Sequence, residues 1–109
     1  EDAQRAAAVF MQKGIKQVVI TLGYMGAFAT DGQKSELVER ITVDAIDTTG
    51  AGDAFLGGLL TALSEGRDLF DALRFGNATG ALSVTRKGTA PAMPHRAEID
   101  QLMKKTYGV

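Results

Sequence analysis

The segment Gln17-Val18-Val19-Ile20-Thr21-Leu22 constrains this chain of 109 residues more than any other. A short run of β-branched and apolar residues is the mark of a strand buried inside a sheet. It follows an amphipathic stretch, Asp2 to Lys13, in which Ala6, Val9 and Phe10 recur at helical spacing. Gly14 stands where that helix would end. A helix leading into a buried strand predicts an α/β layer.

The pattern then shortens. Ala27 to Thr30 and Glu36 to Val38 read as strands around an Asp31-Gly32 hairpin turn, and Glu39 to Val43 as a further short strand. A helix is expected from about Ala54 to Ser64, closed by Gly66. Asp68 can cap another, running to about Arg86, with Ala72, Leu73, Phe75, Ala78, Ala81 and Leu82 as its buried stripe. Gly88, Pro91 and Pro94 mark a loop, and Arg96 to Lys105 reads as a last helix carrying Ile99, Leu102 and Met103. With no repeat or low-complexity tract, the expectation is one α/β unit without an internal boundary.

Composition excludes several classes. A formal net charge of -1 offers no basic field for nucleic acid. No cysteine is present, so disulfides and thiolate metal sites are out, which fits a reducing cytoplasm. No apolar run reaches the length of a membrane span. The charged start, Glu1 to Arg5, is not a signal peptide. Because the chain begins without methionine and inside a helical pattern, a fragment or a processed product is the expectation.

The segment with chemistry is Thr48-Thr49-Gly50-Ala51-Gly52-Asp53. Two glycines around an alanine let the main chain approach a ligand closely. The turn opens into a helix whose first amides lack internal partners and carry the positive end of the dipole, which suits a phosphate. Asp53 would lie in that first turn. It could simply complement the dipole, which spacing alone favours. It could also be a general base, taking the proton of an attacking hydroxyl while the amides hold the transferring group. Other phosphate motifs fail. There is no Walker A loop and no kinase-type G-x-G-x-x-G, and a dinucleotide fingerprint would need a small residue where Phe55 stands.

The twelve residues Asp47-Thr48-Thr49-Gly50-Ala51-Gly52-Asp53-Ala54-Phe55-Leu56-Gly57-Gly58 closely resemble the C-terminal signature of the ribokinase (PfkB) family of carbohydrate kinases. Thr21-Leu22-Gly23-Tyr24-Met25-Gly26 is similar to the family's nucleotide loop. Val84-Thr85-Arg86-Lys87-Gly88, with Pro91 and Pro94 beyond, also matches the pattern. The resemblance covers nearly the whole chain. It implies a ribokinase-like three-layer α/β/α sandwich with a mostly parallel sheet, of which residues 1–109 would be the C-terminal, ATP-binding and catalytic part. The lid, the first sugar-binding segments and the acidic motif that helps place magnesium would lie outside it.

Roles carried over by the resemblance are these. Asp53 is the catalytic base, and the amides around Gly50, Ala51, Gly52 and Asp53 form the anion hole. Thr21, Gly23 and Gly26 contact the nucleotide, and Asn77 stands close to the adenine. A monovalent cation, usually K+, is held by the Asp47 carboxylate and by backbone oxygens of Thr49, Ser83, Arg86 and Gly88. Ala92 departs from a frequent serine there and weakens the cation assignment. Plainer readings stand beside these. Thr21 could be an ordinary strand residue, Asn77 a capping or surface residue, Asp47 a loop-holding acceptor, and Arg86 a solvated charge at a helix end. Gly57 and Gly58 would allow close helix packing, and His95 would be structural.

The implied activity is transfer of the γ-phosphate of ATP, with Mg2+, to a sugar primary hydroxyl, D-ribose first among acceptors. A fructokinase, a ketodeoxygluconate kinase or a nucleoside kinase is the near alternative. A non-catalytic nucleotide-binding module and a ligand-free structural domain are the readings from other classes. The expected partners are a small sugar and ATP, with neither nucleic acid nor membrane, and a homodimer of the longer protein is compatible with the resemblance.

Overall fold

The computed structural model describes residues 2–14, 16–21, 26–41, 51–85 and 94–108, with the side chains of 2, 3, 10 and 11 left aside. Two compact units divide the chain, Glu1–Arg40 and Ile41–Val109.

In the first unit, helix α1 (Asp2–Gln12) precedes three strands, β1 (Val18–Thr21), β2 (Gly26–Thr30) and β3 (Ser35–Glu39). They form an antiparallel meander in the order β1-β2-β3. The middle strand is the buried one: all five residues of Gly-Ala-Phe-Ala-Thr are enclosed, because they have neighbours on both edges. Gln17 to Leu22, expected to be a buried strand, is less enclosed than β2. Gln17 lies before the strand, Val19 and Ile20 are half-buried, Thr21 is exposed, and Leu22 falls outside the described residues. The helix stripe also shifts. Ala7, not Ala6 or Val9, meets Val18 and Phe28 in the core, with Ile20 against them, while Val9 is 51% exposed.

The hairpin forms, but as a four-residue connection closed by the Thr30–Ser35 pair. Asp31 Oδ1 accepts from the amides of Gln33 (2.9 Å) and Lys34 (2.8 Å), an Asx-type turn that replaces the expected two-residue one. The amide of Lys34, and after it that of Gln33, holds the Asp31 carboxyl below its ordinary value. The strand expected over Glu39 to Val43 does not continue through Arg40 and Ile41, and its last two residues lie outside the described ones.

The second unit is helical: α2 (Ala51–Ser64), α3 (Leu69–Ser83) and α4 (Arg96–Tyr107). α2 ends in a turn at Gly66, where the Arg67 amide donates back to Ala62 O (3.1 Å). Asp68 caps α3 as its sequence suggests, its carboxylate accepting from the Asp71 amide at 2.8 Å. α3 stops at Ser83 rather than near Arg86. The Ser83 and Thr85 hydroxyls donate back to Gly80 O (2.8 Å) and Leu82 O (2.7 Å), and Val84 and Thr85 are β-branched, a poor continuation of a helix. Ala72, Leu73, Phe75 and Ala78 are buried as expected, while Ala81 and Leu82 are only half-buried. α4 begins after His95, whose amide donates to Glu98 Oε1 (3.0 Å), and buries Ile99 and Met103.

Candidate functional site

The first turn of α2 begins at Ala51, three residues earlier than the sequence pattern suggests, so Ala51, Gly52 and Asp53 are themselves helical. Their amides therefore belong to the group that has no partner within the helix. Asp53 is exposed and is the acidic residue of that turn. At Gly52, the direction a side chain would take meets no atom within 4 Å. Among the described residues, Gly52 and Asp53 are thus exposed and the Cβ direction at Gly52 is open.

What holds this end in place is α3. Gly80 approaches Ala51 so closely that a Cβ would stand 3.3 Å from Ala51 O, and one at Gly76 would stand 2.7 Å from Phe55 O. On the other helix, Gly58 faces Thr79, whose Cβ would be 2.8 Å from an added methyl. The two helices therefore meet backbone to backbone through Gly58, Gly76 and Gly80. This bears out the packing role expected of Gly58, whereas the Gly76–Gly80 pair was missed. Its i, i+4 spacing on one face of a helix was the available signal.

Asn77 lies on α3 between those glycines and is 9% exposed. It is neither a cap nor a surface residue. Its Nδ2 donates to Tyr107 Oη at 3.1 Å, from the last turn of α4. Ser83 is buried at the end of α3, with its hydroxyl turned to Gly80 O. Its expected cation partners Asp47, Thr49, Arg86 and Gly88 lie outside the described residues, as do Gly50 and Ala92. Among the described residues no three His, Cys, Asp or Glu side chains gather as a metal site.

In the other unit, Thr21 ends β1 and Gly26 opens β2, both next to the 22–25 connection that holds Gly23 outside the described residues. Gly26 has a structural demand of its own. Its φ is +113°, and a Cβ would run into Val38 O and come within 2.9 Å of Glu39 Cα. No helix among the described residues is long and apolar enough to cross a membrane.

A second cluster, legible only in three dimensions, ties α4 to the rest of its unit. The Arg96 guanidinium pairs with both Glu65 oxygens at 2.7 Å and reaches Asp100 at 3.3 Å. Arg96 and Arg67 both lie over the ring of Phe75, at 4.9 and 4.8 Å from its centroid. The hydrogen bond from Arg96 holds the Glu65 carboxyl below its ordinary value, and Glu65 in turn raises Arg96, which keeps its charge throughout.

Residues 1–96 match the family description pfkB family carbohydrate kinase. The ribokinase of Haemophilus influenzae is 48% identical over 98 residues, 90% of this chain and 32% of that protein. Fructokinase-1 of Zea mays is 38% identical over 100 residues, 84% of this chain and 30% of that one. The solved Arabidopsis thaliana ribokinase complexed with ribose and ATP is 36% identical, with a TM-score of 0.85 over 93% of this chain and 33% of its own. The chain thus spans about a third of the length of the relatives it matches. The ribokinase-like α/β fold expected from the sequence is the fold found, and the strands this chain supplies are an antiparallel part of it. Family match, relatives and fold agree: the chain belongs to the pfkB family of carbohydrate kinases.

Proposed function

We propose that this chain is the nucleotide-binding and catalytic third of an ATP-dependent sugar kinase that phosphorylates a primary hydroxyl, with D-ribose as the first candidate acceptor. The observation that carries the proposal is the start of α2, where an exposed Asp53 shares a helical turn with the unobstructed backbone of Gly52. Open amides at a helix start suit a transferring phosphoryl group, and a carboxylate in that same turn suits removal of the acceptor proton.

In this reading Asp53 accepts the hydroxyl proton as the sugar oxygen attacks the γ-phosphorus in line. The amides of Gly50, Ala51, Gly52 and Asp53 hold the negative charge that builds on the transferred group. The close approach of Gly80 to Ala51 O supports this, because a rigid prop behind the turn keeps those amides aimed. Thr21, Gly23 and Gly26 border the nucleotide, and Asn77 the adenine. Mg2+ would neutralise charge on the ATP phosphates, and the acidic motif that the resemblance expects outside this chain would help to hold it. Asp47, Thr49, Ser83, Arg86 and Gly88 hold a monovalent cation, whose role is to stiffen the loop before α2. An enzyme spending ATP on a free sugar works in the cytoplasm.

A fructokinase is the second reading, supported by the 38% identity to the maize enzyme. A panel of ribose, fructose, ketodeoxygluconate and nucleosides offered to the complete kinase separates the acceptors. The base assignment has its own test. Asp53→Asn is expected to retain ATP affinity and to lower turnover by about 10²- to 10⁴-fold. Turnover close to that of the parent enzyme would refute it.

A further inference from the structure

Asn77 presents an unusual combination: a carboxamide more than nine-tenths buried, in the middle of a helix whose neighbouring residues are small or apolar. A buried amide is costly unless its hydrogen-bonding groups are satisfied. Its terminal torsion is also soft, so burial alone does not fix the plane of the amide. One contact that bears on that plane comes from Tyr107, thirty residues along the chain, whose phenol oxygen receives the Nδ2 hydrogen at 3.1 Å. Tyr107 lies in the last turn of α4, beyond the residues 1–96 that match the family description.

We propose that Tyr107 is a positioning residue for the nucleotide pocket: its phenol fixes the rotation of the Asn77 carboxamide, so that the end of α4 sets how well the base of ATP is held. The inference rests on the reading of Asn77 as the neighbour of the adenine. In this proposal Tyr107 acts through Asn77 rather than on the nucleotide itself. It acts by preventing the amide from turning, and the tie of Arg96 to Glu65 at the other end of α4 keeps the helix in register for it.

Tyr107→Phe keeps the ring and removes only the oxygen. Its kinetics in the complete kinase, compared with those of Asn77→Ala and Asn77→Ser, test the proposal. Loss of one hydrogen bond of ordinary strength is expected to raise KM for ATP by about 3- to 10-fold. The KM for the sugar and kcat should stay within a factor of two. Asn77→Ala should raise KM for ATP at least as much, and adding Tyr107→Phe to it should change nothing further. If Tyr107→Phe lowers thermal stability but leaves KM for ATP unmoved, the contact is a structural tie and the proposal is overturned. A rise in both KM values would overturn it too, as a general loosening of the fold. Should both Asn77 variants leave KM for ATP unchanged, the adenine reading itself falls. If they raise it while Tyr107→Phe does not, that reading stands and the role of Tyr107 alone is lost.

Discussion

Asp53 carries two possible roles that differ in what its removal does to stability and to rate. As a complement to the helix dipole it is worth up to about 1 kcal/mol, and an exposed carboxylate in the first turn satisfies that role without any substrate. As a base it matters for turnover. Asp53→Asn should therefore shift thermal unfolding by a few degrees at most while turnover falls by orders of magnitude. Gly26 is the opposite case, a residue whose structural demand is strong whatever it binds. At φ +113° and against the backbone of Val38 and Glu39, a methyl has nowhere to go. Gly26→Ala is expected to cost about 1–3 kcal/mol, read as a lowered urea midpoint with unchanged m. A midpoint equal to that of the parent would show that β2 can open without its glycine. From the sequence, Gly26 was singled out only by resemblance, because a positive φ leaves no local mark beyond the glycine itself.

At the scale of elements, the contact of α2 with α3 decides where the proposed anion hole sits. The seam has glycine where the helices come closest, with Phe55 and Leu59 of α2 lying directly against Gly80 and Gly76 of α3. Gly58, Gly76 and Gly80 let the backbones close, and the buried Thr79, whose hydroxyl donates to Phe75 O at 2.8 Å, fills what remains. Replacing Gly58 with Ala has two opposed effects. A helix interior gains about 0.5–1 kcal/mol from losing a glycine, and overpacking costs typically 1–3 kcal/mol. Overpacking wins here, since Thr79 Cβ at 2.8 Å and Gly76 Cα at 3.1 Å from the added methyl are parts of a helix and not the ends of flexible chains. Gly58→Ala should thus destabilise by roughly 1–2 kcal/mol and, by tilting α2, reduce turnover as well. An unchanged or higher melting temperature would mean that the helices separate freely. Caps and turns were legible for both helices because Asp68 and Gly66 act on their own neighbours. The start of α2 is not legible, since Gly52 and Asp53 give Ala51 no apolar neighbour with which to mark a helical face.

Across the 41–109 unit, the contact that fastens α4 joins residues 31 positions apart, Glu65 and Arg96, over a ring that is 1% exposed. No spacing rule reaches that far, which is why Arg96 read only as the start of a helix and Phe75 only as core. The charge states give the cluster a measurable signature. Glu65 is held below its ordinary value of 4.5, chiefly by the hydrogen bond from Arg96. A carboxyl with a depressed folded value contributes stability above its unfolded value and loses it as pH falls through the folded one. The attachment of α4 should therefore weaken below about pH 4.5, as the unfolded chain takes up the proton first. Glu65→Gln removes that linkage while keeping the side chain's shape. Its melting temperature should start lower at neutral pH and fall less steeply between about pH 5 and pH 3 than that of the parent. Asp31, depressed by its own turn amides in the other unit, is common to both proteins and cancels in the comparison. Parallel acid limbs would show that Glu65 and Arg96 do not hold each other in solution, and α4 would then depend on Ile99, Met103 and the Asn77–Tyr107 contact for its place.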